Sequence, residues 1–272
     1  MASDPEHLPA LLCSYVYLKP FQRMRVRGMY AMRDWALDSG AFTAYMKGKV
    51  IELEAYTETA KHLLATDPLL TEVFALDVIG NWRAGLKNTE ALWAAGVPAI
   101  PCYHFGEPVD VLKQLARDYP KIALGGVARK REKAKLAWAA QCFTRVWPKK
   151  IHGFGFGSAA GVLGLPFHST DASSWEMGPA CFGQWKAYGN TRLSWRGTRQ
   201  NMRAEVDWYL DLEQQARRRW PKEMALLDAD GPHVRLATIG SGREIAPSVR
   251  LSCNGNNPGE NNGALKARER KN

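Results

Sequence analysis

Short apolar runs alternate along the chain with longer segments in which apolar residues recur every three to four positions. The short runs contain many β-branched and aromatic residues, a composition that favours β-strands. Seven candidate strands follow from this pattern, at 12–18, 33–38, 72–78, 98–105, 121–127, 150–156 and 167–171.

The longer segments have the 3.6-residue periodicity of amphipathic helices. Their apolar stripes are Leu53-Tyr56-Ala60-Leu63-Leu64, Val111-Leu112-Leu115 and Leu136-Ala140-Phe143-Trp147. A further long helix is predicted over 199–219, with Met202, Val206, Tyr209 and Leu210 facing inward.

Strands that alternate with helices of this length indicate βαβ units and a parallel sheet. We therefore expect an α/β fold, a (β/α)₈ TIM-type barrel, whose eighth strand lies near 181–188; a doubly wound open sheet is the alternative. The barrel is expected to span 1–220, followed by an extension over 221–253 and a polar, Asn- and Gly-rich tail over 254–272 that is typical of disorder. The chain has neither a GxGxxG nor a GxxxxGK[ST] motif, which argues against dinucleotide binding of the Rossmann type and against the common nucleotide-hydrolysing class.

The composition argues against a membrane protein, a secreted protein and a small protein held together by disulfides or zinc. The 272 residues are 46% hydrophobic, and no apolar run approaches the roughly 18 residues that cross a bilayer, so no membrane partner is expected. The N-terminus has no basic segment before its apolar one and does not resemble a secretion signal. The five cysteines are scattered singly, which argues against a disulfide framework, and no CxxC or HxxxH cluster offers a structural zinc site, so a cytoplasmic location is favoured.

Positive charge is concentrated in two stretches. The formal charge is +10, and residues 129–150 contain eight basic residues and one acid, while 177–204 contain five basic residues and no acid. Such stretches are usually solvated faces, but the second is interleaved with aromatic residues, which favours a polyanion surface. The candidate nucleic-acid-binding residues are Arg129, Lys130, Arg131, Trp175, Lys186, Arg192, Arg196, Arg199 and Arg203.

Polar or glycine residues recur where candidate strands end. They are Asp38, Asp77, His104, Gly125-Gly126, Gly155, Gly157 and Asp171. Each alone is commonly a helix cap or a turn former, but the carboxyl ends of parallel barrel strands meet at one mouth, where active sites form. The recurrence therefore predicts an enzyme.

Asp38 and Asp171 are the most specific candidates for catalysis, because cleavage of a glycosidic bond requires two carboxylates that face that bond. Both end strands of the same parallel sheet, so they should lie across one barrel mouth. Retaining enzymes typically hold such carboxyl groups about 5–5.5 Å apart, a spacing that a bulky base held between them would widen. No cofactor motif and no metal-ligand cluster accompanies them, so no cofactor and no metal are expected.

The motifs around these residues resemble the tRNA-guanine transglycosylase superfamily, and most closely its short phage-type branch, the DNA-guanine transglycosylases of the DpdA type. The resemblance runs in order over roughly 12–200 and rests on DSGAF at 38–42, FALD at 74–77, HFGE at 104–107, ALGG at 123–126, HGFGFG at 152–157 and STDASSW at 169–175.

This resemblance implies a (β/α)₈ barrel that exchanges guanine in nucleic acid for a 7-deazaguanine, such as 7-cyano-7-deazaguanine. It implies that Asp171 is the nucleophile and Asp38 the general acid/base, and that Asp77 reads the guanine-like edge. The remaining base-binding candidates are Ser39, Gly40, Phe42, His104, Gly106, Gly125, Gly126 and Val127.

The chain departs from the tRNA enzymes in two places. His104 and Gly106 stand where those enzymes have a glutamine, and residues 172–272 contain only Cys181 and Cys253, too few for their zinc-binding subdomain. The expected partners are therefore DNA, a duplex with the target base flipped out, and the free 7-deazaguanine, with tRNA less favoured. Phe42, Tyr45 and Trp175 are candidate stacking partners for that base, with core packing as the alternative.

Three other functions remain open at this point: a tRNA transglycosylase without zinc, a nucleic-acid-binding barrel without turnover, and a glycosidase for small nucleosides.

Overall fold

The computed structural model describes residues 8–28, 31–193, 202–227 and 233–238. The predicted tail, most of the predicted extension, and both Arg196 and Arg199 lie outside the described residues.

The fold is α/β and is built on an eight-stranded sheet in which every neighbouring pair of strands is parallel. Its strands are β1 (Ala10–Ser14), β2 (Trp35–Asp38), β3 (Leu70–Val73), β4 (Cys102–His104), β5 (Lys121–Gly125), β6 (Lys150–Gly153), β7 (Ser169–Ala172) and β10 (His233–Thr238). A separate antiparallel pair consists of β8 (Gln184–Trp185) and β9 (Thr191–Arg192).

Helices connect most of these strands. They are α1 (Leu18–Val26), α2 (Ala41–Met46), α3 (Leu53–Thr66), α4 (Trp82–Ala94), α5 (Val109–Asp118), α6 (Glu132–Val146), α7 (Ala159–Gly164), α8 (Ser174–Met177), α9 (Arg203–Arg219) and α10 (Pro221–Leu226). Side-chain caps begin two of them: Asn81 accepts from the Ala84 N–H at 3.2 Å, and Ser158 accepts from the Gly161 N–H at 3.0 Å. The first predicted strand, over 12–18, ends at Ser14, because the chain turns there into a 3₁₀ turn and then α1.

The eighth strand of the sheet is not near 181–188, where the sequence predicted it, but at His233–Thr238. Gly183 and Gly189 both have positive φ, and residues 184–192 form the short β8–β9 hairpin instead of entering the sheet. The sheet therefore includes part of the segment 221–253, beyond the expected barrel boundary at residue 220.

The strand order is β3-β2-β1-β10-β7-β6-β5-β4, and the two edges of this curled sheet approach each other. Phe74 and Ile100 form a parallel bridge just beyond β3 and just before β4. The Ile100 N–H donates to the Val73 carbonyl at 2.8 Å, and the Ala75 N–H donates to the Ile100 carbonyl at 2.9 Å.

Alternate residues of each strand face opposite sides of the sheet. Trp35 and Leu37 of β2 belong to the large core cluster that packs against helices, whereas Ala36 packs with Leu12 and Phe74 in a small separate cluster. Asp38 has the same parity as Ala36 and therefore belongs to that second face, which the polar site residues also occupy.

The described residues also test the expectations about membrane helices and cysteines. Among the described residues, none of the helices combines the length and the apolar character that crossing a bilayer requires. Cys13, Cys102 and Cys142 form no disulfide, whereas Cys181 is disulfide-bonded. The bond at Cys181 was not expected from the sequence, because the spacing of cysteines along the chain does not show which of them meet in space.

Candidate functional site

Three carboxylates predicted from the sequence are brought to the carboxyl ends of parallel strands. Asp38 is the last residue of β2, Asp77 follows β3, and Asp171 lies in the second half of β7. Asp38 interacts electrostatically with both Asp77 and Asp171, so the three side chains share one site.

The turn after Asp38 explains the DSG sequence. Asp38 Oδ2 accepts a hydrogen bond from the Gly40 N–H at 3.1 Å. Gly40 has φ +75°, and a Cβ there would lie 2.5 Å from Ser14 Oγ and 2.8 Å from Val16 Cγ2, so only glycine fits. Ser39 is buried within the turn.

Helix α2 follows this turn directly and projects two aromatic side chains into solvent. Phe42 is 53% exposed and Tyr45 is 61% exposed. Exposed aromatic rings beside a carboxylate site can stack on a base, and this placement keeps both residues as candidates for that role.

The surroundings of Asp38 raise its pKa and favour its protonated form. Burial and the neighbouring charge of Asp77, with a further contribution from Asp171, raise the pKa of Asp38 to about 7, against the opposing hydrogen bond from Gly40. A carboxyl group with this pKa can donate a proton near neutral pH and take one back.

Asp171 has a lower pKa and a fixed orientation. Its Oδ1 accepts a hydrogen bond from the Gly155 N–H at 2.7 Å. Burial raises the pKa of Asp171 to about 6, while the hydrogen bond from Gly155 works in the opposite direction. A Cβ on Gly157 would lie 2.3 Å from the Asp171 carbonyl oxygen, so the last glycine of HGFGFG permits this close approach.

His104 is held between two carboxylates. Its Nε2 lies 3.1 Å from Asp77 Oδ2 and its Nδ1 lies 3.0 Å from Glu107 Oε1, while its backbone N–H donates to Glu107 Oε2 at 2.9 Å. The pKa of His104 is raised by the adjacent Cys102 and by its bonds to Asp77 and Glu107, against the effect of burial. Glu107 was not among the residues predicted from the sequence, although its position three residues after His104 in HFGE was a usable signal.

The glycines of ALGG allow β5 to pass close to His104. A Cβ on Gly125 would lie 2.7 Å from Cys102 Sγ, and one on Gly126, which has φ +70°, would lie 3.0 Å from His104 Cβ. Val127 is buried in the core, and Gly106 is a turn residue with φ +96°.

Asp77, Cys102 and His104 form the one group among the described residues that offers ligand atoms for a metal ion, with atoms within 4.8 Å of one another. Carboxylate, thiolate and imidazole suit zinc, with Glu107 orienting the imidazole from behind. No metal was expected here from the sequence. Burial raises the pKa of Cys102 to about 11, so without a metal it is a neutral thiol at pH 7.

A small cavity opens beside this group. Asp77, His104 and Glu107 form its polar side, and side chains of α4 and α5 form its apolar side, among them Trp82, Leu86, Val111 and Leu115.

The candidate nucleic-acid-binding residues fall into two groups. Arg129, Lys130 and Arg131 are exposed in the loop after β5, and the Lys130 ammonium lies 4.6 Å from the Phe105 ring centroid. Arg192 is exposed on β9, and Arg203 is paired with Asp207 at 2.7 Å at the start of α9.

Lys186 and Trp175 make internal contacts instead. Lys186 donates to Ser174 Oγ at 2.8 Å and to the Tyr209 hydroxyl, and burial lowers the pKa of Lys186. The Trp175 indole N–H donates to the Ala237 carbonyl at 2.9 Å, and its ring packs against the core, which favours core packing over base stacking for this residue.

The chain matches no protein-family profile, no curated protein and no solved structure.

Proposed function

We propose that this protein is a DNA-guanine transglycosylase that exchanges guanine in DNA for a 7-deazaguanine by retaining double displacement. The observation that carries the proposal is the pair Asp38 and Asp171. They interact at one end of a parallel sheet, with pKa values near 7 and near 6. Near pH 6.5 this pair supplies one carboxylic acid and one carboxylate, the combination that glycosidic chemistry uses.

The proposed scaffold is a closed (β/α)₈ barrel without a zinc-binding subdomain. Two observations support closure: the strand order follows the sequence around the sheet, with β10 between β7 and β1, and the Phe74–Ile100 bridge joins the edges. A doubly wound sheet would instead reverse its order at a switch point.

The first half-reaction cleaves the glycosidic bond. An Asp171 carboxylate oxygen attacks C1′, the C1′–N9 bond breaks, and its electron pair leaves with guanine, which takes the proton of Asp38. The product is a covalent aspartyl-sugar intermediate and free guanine.

The second half-reaction reverses these roles. Asp38, now ionised, takes the N9 proton of the incoming 7-deazaguanine, whose N9 attacks C1′ as the bond to Asp171 breaks. Both carboxyl groups return to their starting states, and configuration at C1′ is retained.

Asp77 and His104 are the proposed readers of the base. Asp77 accepts from the guanine N–H edge, and its bond to His104, held in turn by Glu107, fixes the carboxylate in place. A site built from satisfied polar groups discriminates strongly against bases that leave one of them unpaired.

DNA is the proposed partner because the exposed cations after β5 lie on a loop at the carboxyl end of the sheet, the end that carries the site. Phosphate contacts from Arg129, Lys130 and Arg131 would hold the strand without reading its sequence. The target base would leave the stack to reach Asp38 and Asp171, with Phe42 and Tyr45 exposed beside them.

Nucleoside analysis tests this proposal. Duplex DNA and tRNA are each incubated with the protein and 7-cyano-7-deazaguanine, digested and analysed by mass spectrometry, with Asp171→Asn as the control. We expect the modified deoxynucleoside in DNA only, with one guanine released per base inserted. Modification of tRNA alone would identify a tRNA transglycosylase. DNA binding with no modified nucleoside in either polymer would identify a barrel without turnover, and cleavage of small nucleosides alone would identify a nucleosidase.

Salt dependence tests the DNA surface. Each phosphate neutralised on duplex DNA contributes a slope of about −0.9 in log K against log salt, so the charge reversals Arg129→Glu and Arg131→Glu together should flatten the slope. The matched control is Lys61→Glu with Lys113→Glu, the same charge change at side chains 46% and 60% exposed on α3 and α5. Fluorescence anisotropy with labelled duplex measures both slopes. Equal slopes for the two double variants would show that the loop after β5 does not contact phosphate.

A further inference from the structure

A buried hydrogen-bond chain begins at Lys121, on the face of the sheet that carries the catalytic carboxylates. Its ammonium lies 2.9 Å from His168 Nδ1 and 2.9 Å from Ser169 Oγ, and it also forms an ion pair with Glu72. An ammonium group has three N–H donors, so these three acceptors use all of them. Although burial alone would raise the pKa of Glu72, Lys121 and Arg235 hold it well below its ordinary value, which keeps Glu72 ionised.

This chain fixes the tautomer of His152. Ser169 Oγ accepts from Lys121, and His152 Nδ1, at 2.8 Å, is its other hydrogen-bond partner among the described residues. Because a buried hydroxyl proton needs an acceptor, the Ser169 proton points to Nδ1. Nδ1 is therefore the acceptor nitrogen, and the ring proton lies on Nε2.

His152 is also kept neutral. Burial and the charges of Lys121 and Arg235, with a contribution from His168, hold the pKa of His152 well below its ordinary value, and Glu72 opposes them only in part. The His152 ring also contacts the rings of Phe74 and Phe154, with centroids 4.6 and 4.5 Å away.

The proton-bearing nitrogen points at Asp171. His152 Nε2 is buried without a hydrogen-bond partner among the described residues, and it lies 4.0 Å from Asp171 Oδ1. That distance exceeds a hydrogen bond by about 1 Å, and such contacts often tighten only in the reacting complex. Oδ1 already accepts from Gly155, so a second donor would leave Oδ2 as the attacking oxygen.

We propose that His152 is a positioning residue for Asp171: held as the Nε2–H tautomer by the Lys121–Ser169 chain, it donates to Oδ1 and orients the carboxylate for attack. The catalytic part of this statement rests on the proposed transglycosylase function. The hydrogen bond forms when Asp171 is ionised, and neutral His152 gives up no proton in any step.

The tautomer is tested first, without any assay of activity. Two-bond ¹H–¹⁵N correlation spectra of the full chain should show His152 neutral from pH 5 to 8, with a non-protonated Nδ1. In Ser169→Ala the restraint on Nδ1 is lost, and the Nε2–H form should no longer be exclusive. A His152 ring that titrates near its ordinary pKa in the unmodified protein, or that carries its proton on Nδ1, would overturn the inference.

The action on Asp171 is tested by two substitutions at one position. Carboxyl ¹³C NMR follows the ionisation of Asp171 in His152→Met, which removes the donor, and in His152→Gln, which restores an N–H near the Nε2 position. We expect Met to raise the pKa of Asp171 by about one unit, the equivalent of about a tenfold change in an equilibrium, and Gln to return it toward its starting value. In base exchange, Met should lower kcat about tenfold with KM little changed, and Gln should recover most of that loss.

His168→Gln is the matched control, because the new amide oxygen can still accept from Lys121 and residue 168 lies three residues before Asp171, about 10 Å along an extended strand. It should leave the pKa of Asp171 unchanged. Equal Asp171 pKa values in all three variants would show that His152 only fills space. If the pKa values shift as expected but no protein exchanges bases, the proposed function is wrong while the contact between His152 and Asp171 stands.

Discussion

Asp171→Asn is expected to abolish base exchange and to form no covalent adduct with DNA. The amide keeps the shape of the carboxylate, and its oxygen can still accept from the Gly155 N–H, so the fold around β7 should survive. It is, however, a poor nucleophile and cannot form the aspartyl ester through which both proposed half-reactions pass. We expect activity at the detection limit, measured as radiolabelled guanine exchange into duplex DNA.

Denaturing gels separate the roles proposed for the two carboxylates, Asp171 as nucleophile and Asp38 as general acid/base. Asp38→Asn keeps the Asp171 nucleophile, so it should still accumulate an enzyme–DNA adduct, slowly, because protonation of the leaving guanine is lost. The exposed Asp110, with a side chain 88% accessible on α5, provides the control: Asp110→Asn should behave as the unmodified protein. An adduct in Asp171→Asn but not in Asp38→Asn would mean that the two roles are exchanged, and full activity in both would refute the mechanism.

Strands could be predicted where an apolar run ends in a turn signal, but not where a charged residue lies inside the strand. The seven strands that the sequence analysis named all exist, because each combines an apolar run with a turn signal at its end. The eighth, HVRLAT, contains Arg235, whose guanidinium is buried and paired with Asp34 and Glu72. A six-residue segment with a charged residue does not resemble a buried strand. The two acids that neutralise Arg235 lie far away along the chain, Asp34 just before β2 and Glu72 in β3.

The site, too, could be predicted only in part from the sequence. Asp38, Asp77 and Asp171 could be located because polar residues at strand ends are visible in the pattern, and the structure brings them together. Lys121 and His152 could not be located from the sequence. Side chains alternate between the two faces of a strand, and a polar residue that faces the interior has the same spacing as one that faces solvent. Only the three-dimensional arrangement shows that they are 7% and 0% exposed and share Ser169.

Asp38→Asn is expected to slow exchange by about 10²–10⁴-fold and to change its pH dependence. In the unmodified protein, the proposed first half-reaction requires Asp171 ionised and Asp38 protonated, so kcat/KM should be bell-shaped, rising through about pH 6 and falling above about pH 7. Asparagine cannot titrate, so the variant should keep the rise near pH 6 and lose the fall above 7. Single-turnover rates between pH 5 and 9 measure both limbs; a fall above pH 7 that persists in Asp38→Asn would assign it to another group.

The same substitution should stabilise the fold at alkaline pH, because the raised pKa of Asp38 is a cost to the folded state. The pKa is about 7 in the folded protein and about 4 in an unfolded chain, so between these values the folded state binds the additional proton. The free energy of unfolding therefore decreases as the pH rises from about 4 to about 7, and this contribution stays lost above 7. An amide at this position removes the titration, so urea unfolding at pH 8 should show Asp38→Asn more stable than the unmodified protein by roughly 2 kcal/mol, with a smaller difference at pH 4.5. Asp110→Asn should show no such pH-dependent gain, and an Asp38→Asn protein that is equally destabilised at both pH values would show that Asp38 is held in the fold as a favourable, ionised group.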